Sequence, residues 1–347
     1  MKHQRLRFAV IGAGRIGAHH ARILGHHPDA ELVGVCDPNV WRAQVTAWRT
    51  GALAYRDYHQ ILDRIDAAVV AVPTDRHHEV GLAAMQKGIH CLIEKPLASN
   101  VEQAKELLAV SEKNGVLLQV GHVERFNPAV LKAIEFVRHP RFVTVERLGP
   151  YDPRVADIGV VMDLMIHDID ILLTLVGSDI ESLEAVGASL FSKHEDIANV
   201  RVRFKSGCIA DLTASRMSLK RCRKIRIFQE SSYISLDYAS ASLKVCRKKA
   251  PVIKNLQDVE IHEPKLPKME PLRSEIDHFI ECIRQGRKPW PSGEHGMEAL
   301  KLALQITDEL EKYSVAGHQQ SREFLPSWVG DLGKIAQEVS KSVLGGG

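Results

Sequence analysis

The stretch Phe8-Ala9-Val10-Ile11-Gly12-Ala13-Gly14-Arg15-Ile16-Gly17 decides the fold of the first part of this chain. An apolar run enters a turn with Gly-x-Gly-x-x-Gly spacing, and a helical pattern follows. In such a unit the first glycine permits a tight turn, the second lets the backbone approach a pyrophosphate, and the third lets the helix pack against the strand. The backbone N–H groups of Arg15 and Ile16, at the helix start, add to the anion site. The stretch predicts a dinucleotide-binding unit.

Asp37 follows the second predicted strand, residues 31–36, at about the 20-residue spacing where an acidic residue meets the adenosine ribose. A carboxylate there binds ribose hydroxyls and repels a 2′-phosphate, which predicts NAD rather than NADP as the cofactor. Arg42 would soften that preference. The alternative for the glycines alone is a tight helix–strand junction that binds nothing, and the position of Asp37 disfavours it.

The length of 347 residues predicts two domains. In residues 1–122, continuous apolar strands alternate with helices, which predicts an α/β Rossmann domain with a doubly wound parallel sheet covered on both faces. Residues 123–330 carry strand patterns with a hairpin turn at Lys205-Ser206-Gly207. They predict an α+β domain on a largely antiparallel open sheet. Late helices over 271–284 and 293–313 are expected to pack back on the first domain, and residues 331–347 to form a tail.

Composition excludes several other classes of protein. The formal net charge is +3, which does not point to nucleic acid or to an anionic membrane surface. The six cysteines are scattered without zinc-like spacing, so we expect reduced thiols in a cytoplasmic protein and no metal site. No apolar stretch approaches the roughly 20 residues that a membrane-spanning helix needs.

Glu94-Lys95-Pro96 follows an apolar strand pattern in the same half of the chain as the glycine turn. The carboxyl ends of parallel strands border the crevice in which a Rossmann sheet holds its nicotinamide. A lysine at the end of such a strand is therefore expected to lie beside the reacting atoms.

A polar stripe crosses the apolar helix predicted over residues 161–176. Asp163, His167 and Asp170 are spaced i, i+4 and i+7, so they share one helix face. Burial of such groups is costly unless they are paired or face a wet cleft. Oxidation of an alcohol needs a base for the hydroxyl proton. The pattern predicts His167 as that base, Lys95 as the cation for the developing alkoxide, and Asp163 as the orienting carboxylate. The alternative is a histidine satisfied at a domain interface.

These motifs together resemble the Gfo/Idh/MocA sugar-dehydrogenase family over nearly the whole chain. In order, the matching residues are Gly12-x-Gly14-x-x-Gly17, Asp37, Pro73-Thr74 with His77, Glu94-Lys95-Pro96, and Asp163-x-x-x-His167-x-x-Asp170.

The resemblance implies catalysis by Lys95, Asp163 and His167, a cis Lys95–Pro96 bond, and a homo-oligomer that pairs through the open face of the second sheet. It also implies that cofactor-binding residues beyond the glycine turn lie at the ends of two later strands, namely Pro73, Thr74, His77, Glu94 and Lys95. Two departures concern the shape of the sugar pocket. Gly159-Val160-Val161 replaces a glycine-rich run, and Met165 replaces a usual glycine.

Within the family, three stretches are similar to UDP-N-acetylglucosamine 3-dehydrogenases, which act upstream of a transaminase in lipid A synthesis. They are residues 121–128, 165–168 and 215–220. A nucleotide-sugar pyrophosphate needs cationic partners, and the candidates are Arg125, Arg216 and Lys220. The alternative for the basic run over residues 220–226 is a solvated strand face.

The expected activity is NAD-dependent oxidation of the sugar 3-hydroxyl. The alternatives are an NAD(P)-dependent dehydrogenase of another sugar, nucleotide sugar or inositol, and a non-catalytic dinucleotide sensor.

Overall fold

The computed structural model describes residues 4–153, 157–250 and 252–320. The predicted tail, residues 331–347, lies outside the described residues. The domain boundary between residues 122 and 123 stays a prediction.

The first sheet is parallel throughout and has the doubly wound strand order β3-β2-β1-β4-β5-β6. Its strands are β1 Leu6–Ile11, β2 Ala30–Cys36, β3 Leu53–Tyr55, β4 Ala67–Val70, β5 His90–Glu94 and β6 Leu118–Gly121. The helices along it are α1 Arg15–Gly25, α2 Val40–Thr50, α3 Thr74–Gln86 and α4 Val101–Lys113. Strand order reverses between β1 and β4, so their carboxyl ends border the crevice where such sheets bind ligands.

The second sheet is antiparallel apart from the parallel pairing of β7 with β10. Its order is β14-β13-β12-β11-β7-β10-β9-β8. The strands are β7 Phe142–Leu148, β8 Ile180–Ala188, β9 Ile197–Phe204, β10 Ile209–Ser215, β11 Cys222–Phe228, β12 Ser232–Asp237, β13 Ser242–Lys248 and β14 Val259–His262. A short helix, α5 Pro128–Ile134, precedes them. Both predicted sheet types are confirmed.

The predicted helix over residues 161–176 is one continuous helical segment of two kinds. A π-helical turn, Val161–Met165, leads into the α-helix α6, Ile166–Val176. Gly177 ends it with a left-handed φ of 59°, which glycine adopts without the steric cost of a Cβ atom. The sequence did not reveal the π turn. It lies at Asp163, and π turns recur at functional sites.

Two late helices join the sheets. α7, Pro271–Gln285, buries Ile276, Phe279 and Ile280 in the core that contains Phe8 of β1. α8, Gly293–Gln320, buries Leu300 in the core on the other face of the first sheet. The same helix buries Leu302 and neighbouring residues in the core of the second sheet. Because α8 is buried in the cores of both sheets, it holds the two sheets together.

Candidate active site

The turn between β1 and α1 has the shape that a bound pyrophosphate requires. Gly12 has a φ of 99°, and a Cβ atom on it would lie 2.3 Å from the carbonyl oxygen of Ala71. A Cβ atom on Gly17 would lie 1.8 Å from the carbonyl oxygen of Gly12. Gly14 caps α1 without a side-chain hydrogen bond, and a Cβ atom there would have no neighbour within 4 Å. The helix start therefore presents backbone N–H groups beside open space.

Gly14→Ala and Gly17→Ala are expected to separate cofactor binding from folding. The methyl of Gly17→Ala meets backbone, so this variant should lose about 1–3 kcal/mol of folding free energy. Gly14→Ala meets no protein atom and should unfold at the wild-type temperature, but its methyl fills the space beside the helix start and should weaken NAD binding about tenfold or more. Thermal unfolding and NAD titration measure both effects. Wild-type affinity in Gly14→Ala would contradict this assignment.

Asp37 joins the glycine turn to the end of β2. One carboxylate oxygen accepts a hydrogen bond from the Ala13 N–H at 2.8 Å, and the other accepts one from the Asn39 N–H at 2.8 Å. The residue is buried. These bonds fix its carboxylate at the mouth of the turn, and its role at the adenosine ribose stays a prediction. Arg15 and Ile16 begin α1 with exposed side chains.

His77 connects the loops that follow β4 and β5. Its Nδ1 lies 2.8 Å from the carbonyl oxygen of Pro96, and its Nε2 lies 2.9 Å from that of Val72. Burial lowers its pKa, against the opposing effect of these two backbone hydrogen bonds. Pro73 and Thr74 lie beside it, at the start of α3. His77 therefore connects the two loops through hydrogen bonds to their backbone. Its position near the nicotinamide stays a prediction.

Lys95 reaches from the first sheet to the helix of the second domain. Its Nζ donates a hydrogen bond to the backbone carbonyl of Asp163 at 2.7 Å and lies 3.5 Å from Asp163 Oδ1. The Lys95–Pro96 peptide bond is cis, as the resemblance implies. The lysine and the aspartate are therefore brought together, and each is less than one quarter exposed. The role of Asp163 in orienting His167 stays a prediction, and its carboxylate lies 3.5 Å from the lysine ammonium.

His167 is half-buried one turn further along the same helix. Its Nδ1 has no hydrogen-bond partner among the described residues. Burial holds its pKa well below the usual value, and the positive charges of Lys95 and Arg147 lower it further. A histidine with a lowered pKa is neutral at physiological pH, so its ring can accept a proton.

Arg125, predicted as a pyrophosphate ligand, is buried and paired with a carboxylate. Its guanidinium donates two hydrogen bonds to the Asp170 carboxylate, at 2.8 and 2.7 Å, and both side chains are about 1% exposed. The ring of Trp290 lies 4.8 Å from Arg125 Cζ. Arg125 is therefore a buried member of an ion pair that joins the segment after β6 to α6. The pairing also explains how the apolar helix accommodates Asp170.

Arg216, the second predicted pyrophosphate ligand, also binds groups of the protein itself. Its Nε donates to Asp196 Oδ1 at 2.7 Å, and its NH1 and NH2 donate to the Ile158 carbonyl and the Ser192 hydroxyl, each at 2.7 Å. It is 2% exposed. These bonds hold together the loops before the π turn and after β8. Only Lys220, among the three predicted substrate cations, has an exposed side chain.

Four further charged residues near His167, namely Arg147, Asp168, Glu124 and Arg223, were not among the predicted site residues. Arg147 binds the Asp168 carboxylate through Nε at 2.6 Å and NH2 at 2.9 Å. It also donates to Glu124 at 3.2 Å. Arg223 is nearer solvent, with 43% of its side chain exposed, and its nearest carboxylate oxygen, on Glu124, is 3.9 Å away. Burial lowers the pKa of Arg223, and the charge of Arg147 lowers it further.

His122 lies in residues 121–128, one of the stretches similar to UDP-N-acetylglucosamine 3-dehydrogenases, but it was not a predicted site residue. It is buried at the end of β6, and both ring nitrogens lack a hydrogen-bond partner among the described residues. Its Nε2 lies 3.9 Å from Asp170 Oδ1. Burial lowers its pKa, so it adds a second neutral ring near His167. The sequence signal that could have found it is its position directly after a predicted strand, at the edge of the sheet that borders the cleft.

Comparisons with known proteins show the family of this chain. Residues 6–122 match the oxidoreductase family with an NAD-binding Rossmann fold, and residues 138–234 match the GFO/IDH/MocA C-terminal domain. UDP-N-acetylglucosamine 3-dehydrogenase of Acidithiobacillus ferrooxidans is 33% identical over 89% of this chain and 98% of its own. The chain belongs to the Gfo/Idh/MocA family.

Two further comparisons concern fold and activity. A solved structure of the Acidithiobacillus ferrooxidans protein superposes with a TM-score of 0.85 over 90% of this chain and 99% of the other. The scyllo-inositol 2-dehydrogenase (NAD(+)) of Bacillus subtilis is 29% identical over 83% of this chain and 89% of its own. This Gfo/Idh/MocA protein is thus an NAD-dependent sugar dehydrogenase, and the glycine turn fits the pyrophosphate of NAD. None of its described helices is long and apolar enough to span a bilayer.

Proposed function

We propose that this enzyme oxidises the 3-hydroxyl of UDP-N-acetylglucosamine to the 3-keto sugar. The observation that carries the proposal is the positive charge beside His167, where the Arg223 guanidinium has, among the described residues, no carboxylate oxygen closer than 3.9 Å. An inositol has no charge for such a group to bind, whereas a nucleotide sugar carries a pyrophosphate. The 33% identity to a UDP-N-acetylglucosamine 3-dehydrogenase supports the same choice.

The residues divide the chemistry between the two domains. His167, neutral because its pKa is lowered, accepts the proton of the sugar hydroxyl. Lys95 donates a hydrogen bond to the oxygen as negative charge develops on it, and the Asp163 backbone carbonyl holds the ammonium in place. NAD, when bound, supplies the hydride acceptor. The C–H bond loses a hydride, the O–H bond loses a proton, and a C=O bond forms.

Arg223 and Lys220 replace Arg125 and Arg216 as the proposed pyrophosphate ligands. Lys220 is exposed in the loop between β10 and β11, and Arg223 lies at the start of β11. Both therefore remain available to an anion that enters from solvent. A guanidinium that is already partly desolvated binds phosphate oxygens strongly, because little further hydration is lost.

Arg223→Leu is expected to raise the KM for UDP-N-acetylglucosamine. Loss of a charged hydrogen bond is worth about 1.5–3 kcal/mol, or roughly 10- to 100-fold, with a smaller effect on kcat. Arg138→Leu, an exposed arginine before β7, is the matched control and should leave KM unchanged. Steady-state kinetics test both variants. An unchanged KM in Arg223→Leu would remove the residue from the substrate site.

An inositol or another sugar is the second candidate substrate, and the similarity to inositol dehydrogenases favours it. The deciding experiment measures nicotinamide reduction by purified protein with UDP-sugars, free sugars and inositols, each with a ketone trap. Reduction with UDP-N-acetylglucosamine alone supports the proposal. Reduction with inositol alone overturns the proposal. If NAD binds but no compound causes its reduction, the result favours a non-catalytic sensor.

The remaining parts of the proposal concern the setting of the enzyme. The 3-keto product would be the substrate of a transaminase, as in lipid A synthesis, in the cytoplasm. We expect a homo-oligomer that pairs through the open face of the second sheet, where the β8 and β9 side chains Glu184, Val186 and Arg201 are exposed. Sedimentation velocity at micromolar concentration should show a dimer or tetramer.

A further inference from the structure

Three buried titratable side chains meet below the catalytic cleft. His20 comes from α1, Glu94 from the end of β5 and Glu275 from α7. Their exposed fractions are 0%, 8% and 0%, and one ring nitrogen and one oxygen of each carboxylate all lie within 4.8 Å of one another. The predicted cofactor contact of Glu94 stays a prediction, and the proposed proton and hydride transfers use none of these three side chains, so their burial together needs a separate explanation.

Hydrogen bonds account for Glu94 but not for Glu275. Glu94 Oε1 lies 2.8 Å from His20 Nε2, and Glu94 Oε2 accepts the Lys95 backbone N–H at 3.3 Å. Within the described part of the chain, neither carboxylate oxygen of Glu275 has a hydrogen-bond partner. A buried carboxylate without a partner is costly, and a second carboxylate beside it raises the cost. Glu275 must therefore be neutralised by a proton or by a cation.

The surroundings favour a proton. Among the described residues, the acidic and histidine side chains clustered with Glu275 are Glu94 and His20, and Gln119 of β6 donates through Nε2 to the Glu275 backbone carbonyl at 3.2 Å. His20 already supplies Glu94 with a hydrogen-bond partner, so a single extra proton neutralises the remaining carboxyl group. Burial raises the pKa of Glu275 well above its usual value, and the charge of Glu94 raises it further.

The cluster is also attached to the catalytic lysine. Glu94 immediately precedes Lys95, and its carboxylate accepts the lysine backbone N–H. Gly121 of β6 provides the space, because a Cβ atom there would lie 2.8 Å from Glu94 Oε2. A change in the charge of the cluster would therefore act first on the segment that carries Lys95.

We propose that Glu275 is a neutral, protonated carboxylic acid, which leaves the Glu94 carboxylate to hold the backbone of Lys95 through its hydrogen bond to the Lys95 N–H. Glu275 is then a positioning residue, and α7 stabilises the catalytic loop through it. The kinetic consequence rests on the proposed function of Lys95. The protonation state itself does not, and it can be measured without any substrate.

The test compares Glu275→Gln, Glu275→Ala and Glu281→Gln, the last being an exposed glutamate of the same helix. Glutamine keeps the shape and donor capacity of the neutral acid but cannot ionise. Glu275→Gln should therefore retain turnover to within about twofold at neutral pH, whereas Glu275→Ala should lose tenfold or more. Glu281→Gln should behave as wild type.

Thermal unfolding against pH gives the decisive readout. Folded wild type holds a proton on Glu275 that the unfolded chain releases above the ordinary glutamate pKa, so its stability falls as pH rises toward the raised pKa. Glu275→Gln lacks this loss, so its Tm advantage should grow as the pH rises above 4.5, the ordinary glutamate pKa, toward the raised pKa of folded Glu275. Infrared spectra should show a protonated-carboxyl C=O band that disappears in Glu275→Gln.

Two results would overturn the proposal. One is a Tm difference between wild type and Glu275→Gln that stays constant with pH, together with no lost carboxyl band. The other is a stoichiometric divalent metal in purified wild type, measured by mass spectrometry, that Glu275→Gln lacks. If no sugar is oxidised, the proposed function fails, but the unfolding and infrared measurements still decide the state of Glu275.

Discussion

Lys95→Met is expected to abolish turnover while NAD still binds. Methionine keeps the length and apolar stem of the side chain but cannot donate to the developing alkoxide. It also loses the hydrogen bond to the Asp163 carbonyl, which holds the ammonium across the cleft. Loss of one such donor typically costs about 10²–10³ in kcat. Stopped-flow or steady-state measurement of nicotinamide reduction gives kcat, and an independent titration gives the NAD affinity.

Lys87→Met is the matched control for this variant. Lys87 belongs to the same domain, its side chain is 55% exposed, and it pairs with Asp63 on the surface. The control should keep wild-type kcat and Tm. If Lys95→Met turns over at a near-normal rate, the lysine has no part in the chemistry. If it also loses NAD binding, the residue acts on the cofactor instead.

His167→Ala is expected to have the second-largest effect, a loss of about 10²–10⁴ in kcat for alcohol oxidation. The wild-type profile of kcat/KM against pH should have an acid limb below pH 6.5, the usual histidine pKa. Activity falls toward acidic pH because the reaction needs His167 unprotonated. The neutral ring is the base, and burial and Lys95 lower its pKa, so protonation inactivates the enzyme only at acidic pH.

Two comparisons test this assignment of the base. His139→Ala, an exposed histidine before β7, should leave the whole profile unchanged. In His167→Ala, the residual activity should lose the acid limb, because the titrating base is gone. An acid limb that survives unaltered in His167→Ala would assign it to another group, and His122, the other buried neutral ring of the site, would be the first candidate.

Sequence reasoning reached the fold and the glycine turn because each depends on local pattern. The roles given to Gly12 and Gly17 follow from the absence of a side chain, and the structure shows backbone atoms where their Cβ atoms would lie. No helix was predicted over the residues of α2, because the apolar pattern there is misleading. Trp41 and Trp48 are 72% and 83% exposed, so its apolar residues do not mark its buried face. Small residues, Ala43 and Ala47, pack inward instead.

The pairing of charged side chains could not be read from the sequence. Arg125 and Arg216 resemble phosphate ligands by residue type, but their partners Asp170 and Asp196 meet them only after folding. The contact of Asp163 with Lys95 depends on the approach of two domains. Long-range ion pairs have no local signature, so residue type alone overestimates the number of free cations in a cleft.

The most direct test of the account uses UDP-N-acetylglucosamine with deuterium at C3 and purified enzyme with NAD. If the C3–H bond breaks as hydride leaves, deuterium should appear in the reduced nicotinamide. We expect this transfer in wild type but not in Lys95→Met. Reduction of NAD without deuterium transfer would contradict the assignment of the reacting hydroxyl. No reduction, in a protein that oxidises an inositol instead, would contradict the nucleotide-sugar assignment itself.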